Sequence, residues 1–335
     1  MNTLLMRQLS PPRSLKRRFS SLLTPSTTDP MTKSEMFEGL IGQEAIKTRL
    51  EFYTQAQKAT GTLPFLLFNG AKGLGKTEFA KSFAKSLGKP CIEINCSTIR
   101  NAEQFFDQVF IPAILDREIT VLLDEAHALP KDLENAFLTI FNVEDAKTKR
   151  FEFGESSFLF DFSKQTFLFA TTELDKLFPP FKDRLTQLDF EPYDGVELGA
   201  IIQKKLSWLS FEKGLITKIS HTVRGNARSA VKRALEIKAY SEVHNKASFN
   251  KKDWSKLCGL LGIMPFGINA TELQVMRILK DRGACTLQML CAVTGMSRTA
   301  LQKDAEIHLL KNGFMKIDGK REITGKGVKA LERIG

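Results

Sequence analysis

The chain has 335 residues, 42% of them hydrophobic and 26% charged, which is typical of a folded protein with room for two or three domains. No apolar run reaches the length of about 18 residues that a membrane-spanning helix needs, so no membrane span is predicted. The net charge of +11 indicates a polyanionic partner, and the five cysteines lack a metal-ligand spacing, which favours reduced thiols in a cytosolic protein.

The N-terminal segment is basic and rich in Ser, Pro and Thr. Residues 1–28 carry five basic side chains and no acidic one, and we predict a disordered extension over residues 1–35. The same composition fits an organelle transit peptide, a tail that adds nonspecific DNA affinity, or translated sequence upstream of a start at Met31. A cytoplasmic location is the expectation, with organelle targeting by residues 1–30 as the open alternative.

A glycine-rich loop follows a buried strand predicted at 65–69. Residues 70–77 read Gly-Ala-Lys-Gly-Leu-Gly-Lys-Thr and fill every fixed position of the phosphate-binding pattern G-x-x-x-x-G-K-[ST]. Backbone N–H groups of such a loop, and of the helix predicted after it, stabilise phosphates. The lysine would reach the β- and γ-phosphates and the threonine would ligate Mg²⁺, so ATP and Mg²⁺ are the predicted cofactors. The predicted cofactor-binding residues here are Gly70, Gly73, Gly75, Lys76 and Thr77.

A second buried strand, predicted at 119–123, leads into two acidic residues. A carboxylate at the tip of a strand beside the phosphate loop can hold Mg²⁺, which is the role predicted for Asp124. Glu125 is placed to orient or deprotonate the attacking water, so we expect hydrolysis of the nucleotide. His127 is interpreted either as a residue that couples nucleotide state to DNA binding or as a helix cap.

Strands alternate with helices as far as about residue 190. Apolar strands separated by helices predict an α/β fold with a parallel sheet covered on both faces. The strand candidates are 65–69, 91–95, 119–123 and 166–171, and Cys91 and Cys96 are expected in the core. An alternating segment at 150–162 reads as a β-hairpin, whose phenylalanines belong either to the core or to a partner-binding surface.

The C-terminal part has a different pattern. Residues 191–262 lose the strand signal and predict a small helical domain, and residues 264–267 read as a joint. Three further helices, followed by strands on both sides of a turn at 318–319, predict a winged helix. These helices are predicted at 271–281, 286–292 and 297–312. Basic side chains at the hairpin are the predicted phosphate contacts with DNA, namely Lys316, Lys320, Arg321 and Lys326. A protein-docking module is the alternative.

Three stretches carry a family resemblance: Phe37-x-x-Leu40-Ile41-Gly42-Gln43, the phosphate loop, and Asp124-Glu125-x-His127. They resemble the AAA+ ATPases, and more narrowly the RuvB family of Holliday-junction branch-migration motors. The resemblance spans roughly residues 36–335. Its further matches are Glu144-Asp145 before the hairpin, Phe169-Ala170-Thr171-Thr172, Asp183-Arg184, Glu191-Pro192-Tyr193, Arg224-Gly225-x-x-Arg228, Leu310-x-x-Gly313-Phe314 and Gly319-x-Arg321-x-x-Thr324.

This resemblance implies roles for single residues. Thr172, or else Thr171, would be the polar sensor near the γ-phosphate. Arg184 would be an arginine finger that reaches a neighbouring subunit's nucleotide, and Arg228 a lid arginine that senses the γ-phosphate. The residues implied to flank the adenine are Leu40, Ile41 and Tyr193.

The resemblance also implies the domain plan and the partners. A disordered extension at 1–35 would precede an AAA+ domain at 36–190, a helical lid at 191–265 and a winged-helix DNA-binding domain at 266–335. A homo-hexameric ring would surround duplex or junction DNA, and the hairpin at 150–162 would bind a RuvA-like protein. The implied function is an ATP-dependent DNA translocase or helicase in recombination and repair. The alternatives are a clamp-loader-like or replication-associated ATPase, and a nucleotide-dependent DNA-binding switch that does not translocate.

Overall fold

The computed structural model describes residues 33–141, 148–153, 156–161 and 164–334. The predicted extension up to residue 32, the Glu144-Asp145 match and the hairpin residues 154, 155 and 162 lie outside these ranges. The chain divides into two compact units, one ending at Tyr193 and the other beginning at Asp194. None of the helices in the described ranges is long and apolar enough to cross a lipid bilayer.

A five-stranded parallel sheet forms the centre of the first unit. Its strands are β1 (Leu66–Asn69), β2 (Cys91–Asn95), β3 (Ile119–Asp124), β6 (Gln165–Thr171) and β7 (Thr186–Asp189), in the spatial order β2-β3-β6-β1-β7. Every pair in this sheet is parallel, which confirms the predicted fold class. The four predicted strands lie within one residue of the observed bounds. Only β7 was not predicted, because its four residues include a single buried apolar side chain, Leu188.

Helices cover both faces of this sheet, because each presents an apolar side to it. Their bounds are α1 (Lys33–Met36), α2 (Glu44–Thr60), α3 (Lys76–Ser86), α4 (Ala102–Phe105, continued by a π-helical stretch at Phe106–Ile114), α5 (Lys131–Ile140) and α6 (Pro179–Lys182). Phenylalanines dominate the core beneath β6, where the rings of Phe137, Phe169 and Phe181 lie with centroids 5.3–6.1 Å apart. This packing fixes the carboxyl end of β6, which carries Thr171 and Thr172.

The predicted hairpin is present as an antiparallel pair outside the main sheet. Its strands are β4 (Thr148–Phe153) and β5 (Ser156–Asp161), paired from Thr148 opposite Asp161 to Phe153 opposite Ser156. The parallel sheet resumes at β6 after this excursion.

The second unit begins with a helical part. Its elements are α7 (Gly195–Lys205), β8 (Ser210–Phe211), α8 (Leu215–Ser220), α9 (Ala227–Val243), β9 (Ser248–Phe249) and α10 (Lys251–Leu261). Asp194 and Glu197 form a capping box that begins α7, and Asn250 and Asp253 form one that begins α10. The two short strands pair in parallel, a feature that the sequence pattern did not predict.

The chain then turns sharply at a short 3-10 segment, Pro265–Gly267. Phe266 adopts a left-handed φ of 61° and Gly267 one of 67°. A Cβ on Gly267 would lie 2.9 Å from the Thr222 carbonyl oxygen, so a side chain there would be disfavoured both by the positive φ and by lack of space.

Arg224 donates to the Gly267 carbonyl oxygen at 2.8 Å and to Glu272 at 2.7 Å. Burial raises the pKa of the Glu272 carboxyl, while Asn269 N–H and Arg224 oppose the rise.

The remaining elements pack around one apolar cluster. They are α11 (Ala270–Arg282), α12 (Leu287–Thr294), α13 (Arg298–Leu301, continued by a π-helical stretch at Gln302–Glu306), α14 (Ile307–Lys311), β10 (Met315–Asp318), β11 (Lys320–Ile323) and α15 (Gly325–Ile334). The helix at α15 was not predicted, because glycines occupy its first turn. A Cβ on Gly327 would collide with the Phe314 carbonyl oxygen. The winged helix remains our interpretation of this succession of helices and hairpin.

Candidate active site

The phosphate loop joins the end of β1 to the start of α3. Its three motif glycines, Gly70, Gly73 and Gly75, have positive φ angles of 148°, 84° and 91°. A Cβ on Gly70 would also lie 2.9 Å from the Phe190 Cβ atom, so this position excludes other residues both by φ and by space. The loop therefore keeps its backbone N–H groups beside the N-terminus of an 11-residue helix, an arrangement that favours anions.

Lys76 is the first residue of α3, and it is only 7% exposed. Its Nζ atom donates to the Gly70 carbonyl oxygen at 2.7 Å and to the Ala71 carbonyl oxygen at 3.0 Å. The ammonium group thus lies directly over the loop, where it can neutralise phosphate charge.

Two oxygen ligands meet at the end of β3. Thr77 Oγ1 donates to Asp124 Oδ2 at 2.9 Å, and the Glu125 N–H donates to Asp124 Oδ1 at 2.9 Å. A hydroxyl and a carboxylate beside a phosphate loop fit Mg²⁺, which prefers one or two protein oxygens together with phosphate oxygens. Thr77 and Asp124 are 47 residues apart in the sequence, and the parallel sheet brings them together, as predicted for a carboxylate at a strand end beside the phosphate loop.

Glu125 has a left-handed backbone, with φ 56° and ψ 46°. A glutamate in this conformation is strained, and such strain persists where surrounding contacts hold the residue in place. Thr172 Oγ1 lies 3.4 Å from Glu125 Oε2. Thr171 is fully buried and faces His127 instead. Of the two sensor candidates, the geometry therefore favours Thr172.

His127 lies in the 3-10 turn Ala126–Ala128, so the interpretation of this residue as a helix cap is wrong. Its Nδ1 atom is 3.0 Å from Thr171 Oγ1, and its Nε2 atom is 3.1 Å from Glu173 Oε2 and 3.4 Å from Glu125 Oε2. Sequence reasoning missed Glu173. The available signal was its place directly after β6, at the sheet edge where β3 also ends.

A second segment closes on the loop from the start of the first unit. Gln43 Nε2 donates to the Glu191 carbonyl oxygen at 2.6 Å, and the Glu191 N–H donates back to Gln43 Oε1 at 3.2 Å. These bonds fix the half-buried Leu40 and Ile41 near residues 191–193. Tyr193 is buried and its hydroxyl donates to the Leu74 carbonyl oxygen of the phosphate loop at 3.0 Å.

Comparison with known proteins agrees with this geometry. Residues 66–192 match the ATPase family associated with various cellular activities (AAA). The RuvB subunit of the Holliday junction branch migration complex from Campylobacter hominis is 28% identical over 307 residues, covering 88% of each chain. That of Campylobacter jejuni is 27% identical and covers 88% of this chain and 90% of its own. Residues 66–192 therefore carry an AAA ATPase domain, and most of the chain is similar to RuvB proteins.

Solved structures carry the same fold. The Thermotoga maritima RuvB Holliday junction branch migration motor superimposes with a TM-score of 0.67 at 24% identity, covering 87% of this chain and 95% of its own. A mutant of that protein gives a TM-score of 0.69 and covers 91% of this chain and 99% of its own. This likeness confirms the predicted fold, and the AAA match together with the RuvB relatives supports the predicted family and ATPase class.

The two arginines implied by the RuvB resemblance are placed differently. Arg184, partly exposed after α6, donates from Nη1 to the Pro180 carbonyl oxygen at 2.8 Å, and within the described ranges it forms no ion pair with a carboxylate. Arg228 is exposed near the start of α9, in the second unit of the RuvB-like chain. Their roles as finger and lid arginine remain predictions.

The C-terminal hairpin corrects one predicted DNA contact. Arg321 Nε donates to Glu306 Oε1 at 2.8 Å, with side chains only 13% and 4% exposed, and the Arg321 backbone pairs with Cys285. Because its guanidinium is committed to a buried carboxylate, Arg321 holds the hairpin on the helices and is not available to phosphates. Lys320 is exposed at the turn.

The other two basic residues of the hairpin have weaker partners. Lys316 forms an exposed ion pair with Glu322 at 2.8 Å, which lies across the hairpin. Lys326 Nζ lies 5.5 Å from the centre of the Phe314 ring. Exposed pairs of this kind exchange readily for phosphate contacts because they contribute little stability.

The cysteines of this RuvB-like ATPase are free thiols. Cys96, directly after β2, is buried, and burial raises the pKa of its thiol, with the Asp124 and Glu125 carboxylates adding to the rise. Cys91, expected in the core, is exposed, because β2 is an edge strand.

Proposed function

We propose that this chain is the motor subunit that couples ATP hydrolysis to movement of DNA during Holliday-junction branch migration. The observation that carries the proposal is the joining of the Lys76, Thr77, Asp124 and Glu125 constellation to a C-terminal basic hairpin in one chain. A relative named for branch migration, from Campylobacter curvus, matches this chain over 96% of its length, so the similarity reaches both parts.

The hydrolytic step follows from the placement of the side chains. Lys76 binds the β- and γ-phosphates, and Thr77 with Asp124 would hold Mg²⁺, which neutralises charge on the phosphates during transfer. Glu125 orients the attacking water and accepts its proton, with Thr172 holding the carboxylate from one side. Leu40, Ile41 and Tyr193 flank the adenine in this proposal.

A neighbouring subunit completes the site through Arg184. Its charge, which lacks an acidic partner within the described ranges, would stabilise the transferring phosphate of an adjacent protomer in a hexameric ring. Arg228 would sense the γ-phosphate from the lid. Mixed rings test the shared site: Arg184→Ala and Lys76→Ala subunits are each expected to be inactive alone, and co-assembly should restore part of the ATP turnover. Confirmed co-assembly without any recovery would rule out a finger acting between subunits.

DNA and a protein partner would bind at different places. The exposed lysines of the C-terminal hairpin, Lys316, Lys320 and Lys326, would contact phosphates of duplex or junction DNA. The β4–β5 hairpin would bind a RuvA-like junction-binding protein, because it forms a separate ribbon outside the main sheet.

Dissociation of a labelled four-way junction by the purified protein and ATP tests the whole proposal. We expect dissociation that depends on ATP and is enhanced by a RuvA-type protein. Glu125→Gln is the matched control, because it keeps the Mg²⁺ ligand Asp124 and should bind ATP without turnover. If the protein binds the junction without dissociating it, and DNA does not change its ATP turnover, the result would indicate a nucleotide-dependent switch and refute the proposed motor function.

A further inference from the structure

One imidazole lies between two carboxylates at the edge of the nucleotide site. His127 Nε2 is 3.1 Å from Glu173 Oε2 and 3.4 Å from Glu125 Oε2. The ring is largely buried, with 14% of the side chain exposed. Two strand ends supply this cluster, since Glu125 and His127 follow β3, while Thr171 is the last residue of β6 and Glu173 follows it.

The neighbours of the ring show that Nε2 is a hydrogen-bond donor. The two oxygens nearest to Nε2 belong to carboxylates, which accept hydrogen bonds, so Nε2 carries an N–H. Nδ1 lies 3.0 Å from Thr171 Oγ1, a hydroxyl that can donate or accept, and that oxygen also accepts from the Glu173 N–H at 3.1 Å. The N–H of Nε2 therefore faces the two glutamates and is shared between them.

Both contacts to Glu125 fall on the same carboxylate oxygen. His127 Nε2 and Thr172 Oγ1 each lie 3.4 Å from Glu125 Oε2. The other oxygen, Oε1, is thereby directed away from the pair of donors. A carboxylate on a strained backbone needs such fixing, because a misplaced base loses much of its effect on rate.

We propose that His127 is a positioning residue for ATP hydrolysis. Its Nε2 proton fixes Glu125 Oε2 so that Oε1 can accept the proton of the attacking water. Through Thr171 and Glu173 it ties this orientation to the end of β6, the strand that carries the sensor. The inference rests on the proposed role of Glu125 as the catalytic carboxylate.

Two substitutions of His127 by amide side chains distinguish this positioning role from a purely structural one. In His127→Gln the side-chain amide reaches the position of Nε2 and can still donate to Glu125. In His127→Asn the amide reaches only the position of Nδ1, so it keeps the Thr171 contact and loses the carboxylates. His127→Leu removes both contacts, and His221→Leu makes the same substitution at an exposed histidine of the second unit.

The measurements are kcat, KM for ATP and the affinity for a fluorescent ATP analogue. We expect kcat to fall about tenfold to hundredfold in the asparagine and leucine variants, with KM and affinity within about twofold. The glutamine variant should lie closer to the parental rate, and His221→Leu should match it. In a Glu125→Gln background, His127→Asn should cause no further loss in single-turnover rate, because the group that it positions is gone.

Equal losses in the glutamine and asparagine variants, or a parental kcat in the asparagine variant, would overturn the inference. A loss of nucleotide affinity that parallels the loss of kcat would do the same. If Glu125→Gln itself hydrolyses ATP at the parental rate, the catalytic assignment fails first and takes the inference with it. If Glu125→Gln is inactive while His127→Asn is fully active, only the role of His127 is refuted.

Discussion

The phosphate loop and the C-terminal hairpin both present basic side chains beside tight turns, yet they hold positive charge in opposite ways. In the loop, Lys76 is fixed by carbonyl oxygens of its own segment, within six residues. In the hairpin, Arg321 is fixed by Glu306, which lies 15 residues away on another element. The Lys76 ammonium therefore stays accessible to an anionic ligand, whereas the Arg321 guanidinium is paired with a carboxylate inside the fold.

Removal of the loop charge should give the largest effect. Lys76→Ala is expected to lower ATP affinity about 100-fold or more, because charge-assisted bonds to phosphate are lost in a buried site. Lys72→Ala is the control, since Lys72 belongs to the same loop and is exposed. Calorimetric titration with an ATP analogue would measure both. Similar losses in the two variants would mean that general loop charge binds the nucleotide.

Removal of the hairpin arginine should act on stability. Arg321→Ala leaves Glu306 buried without a partner, which is expected to lower the free energy of unfolding by about 3 kcal/mol. Lys320→Ala, the adjacent exposed residue, should change it by less than about 0.5 kcal/mol. Both tryptophans, Trp208 and Trp254, belong to the second unit, so denaturant unfolding followed by tryptophan fluorescence reports on that unit. An Arg321→Ala protein with parental stability and weakened DNA binding would restore Arg321 as a phosphate contact.

This contrast also explains which features of the site and the fold could be predicted from the sequence. Gly70, Lys76 and Thr77 act within one loop, so their spacing alone specifies their geometry. The contact between Thr77 and Asp124 was predictable as well, because parallel strands bring their carboxyl ends to one edge. The order of the five strands was not predicted, and the periodicity did not show β7.

The contacts that the sequence did not predict are those between residues far apart in the chain. The Arg321–Glu306 pair joins the hairpin to the helical stretch at 298–311, and no local pattern marks it. The same holds for His127, whose partner Glu173 lies 46 positions along the chain. The helix α15 was hidden by Gly325 and Gly327, although Gly327 is required by its approach to Phe314. A cluster of basic residues therefore predicts a DNA-binding surface well only when the carboxylates that pair with those residues inside the fold are known.

The exposed lysine of the hairpin sharpens the comparison in the other direction. Lys320→Ala should weaken binding to all duplex sequences alike and reduce the slope of log affinity against log salt by about one unit. ATP turnover without DNA should stay parental. A salt series of fluorescence anisotropy with a labelled duplex gives the slope. An unchanged slope would place the DNA contact away from the hairpin turn, with the basic N-terminal segment as the next candidate.

The smallest effect concerns pH and the joint between the helical part and the C-terminal helices. His308 Nε2 lies 3.1 Å from the Phe266 carbonyl oxygen, and burial lowers the pKa of this histidine, with the Arg224 and Lys311 charges adding to the shift. The unfolded chain takes up the proton near pH 6.5, whereas the folded chain takes it up only at lower pH.

Stability of the second unit should therefore fall as pH drops from about 6.5 toward 5, since the unfolded state binds the extra proton first. The stabilising contribution of neutral His308 is complete above this window. Tryptophan-monitored melting at several pH values would show a midpoint that declines on acidification. His308→Gln, which keeps a donor for the Phe266 carbonyl oxygen but does not titrate, should decline less over the same window. If both proteins decline equally, the acid sensitivity belongs to other groups, and the joint is held by Arg224 and Glu272 without a contribution from the charge state of His308.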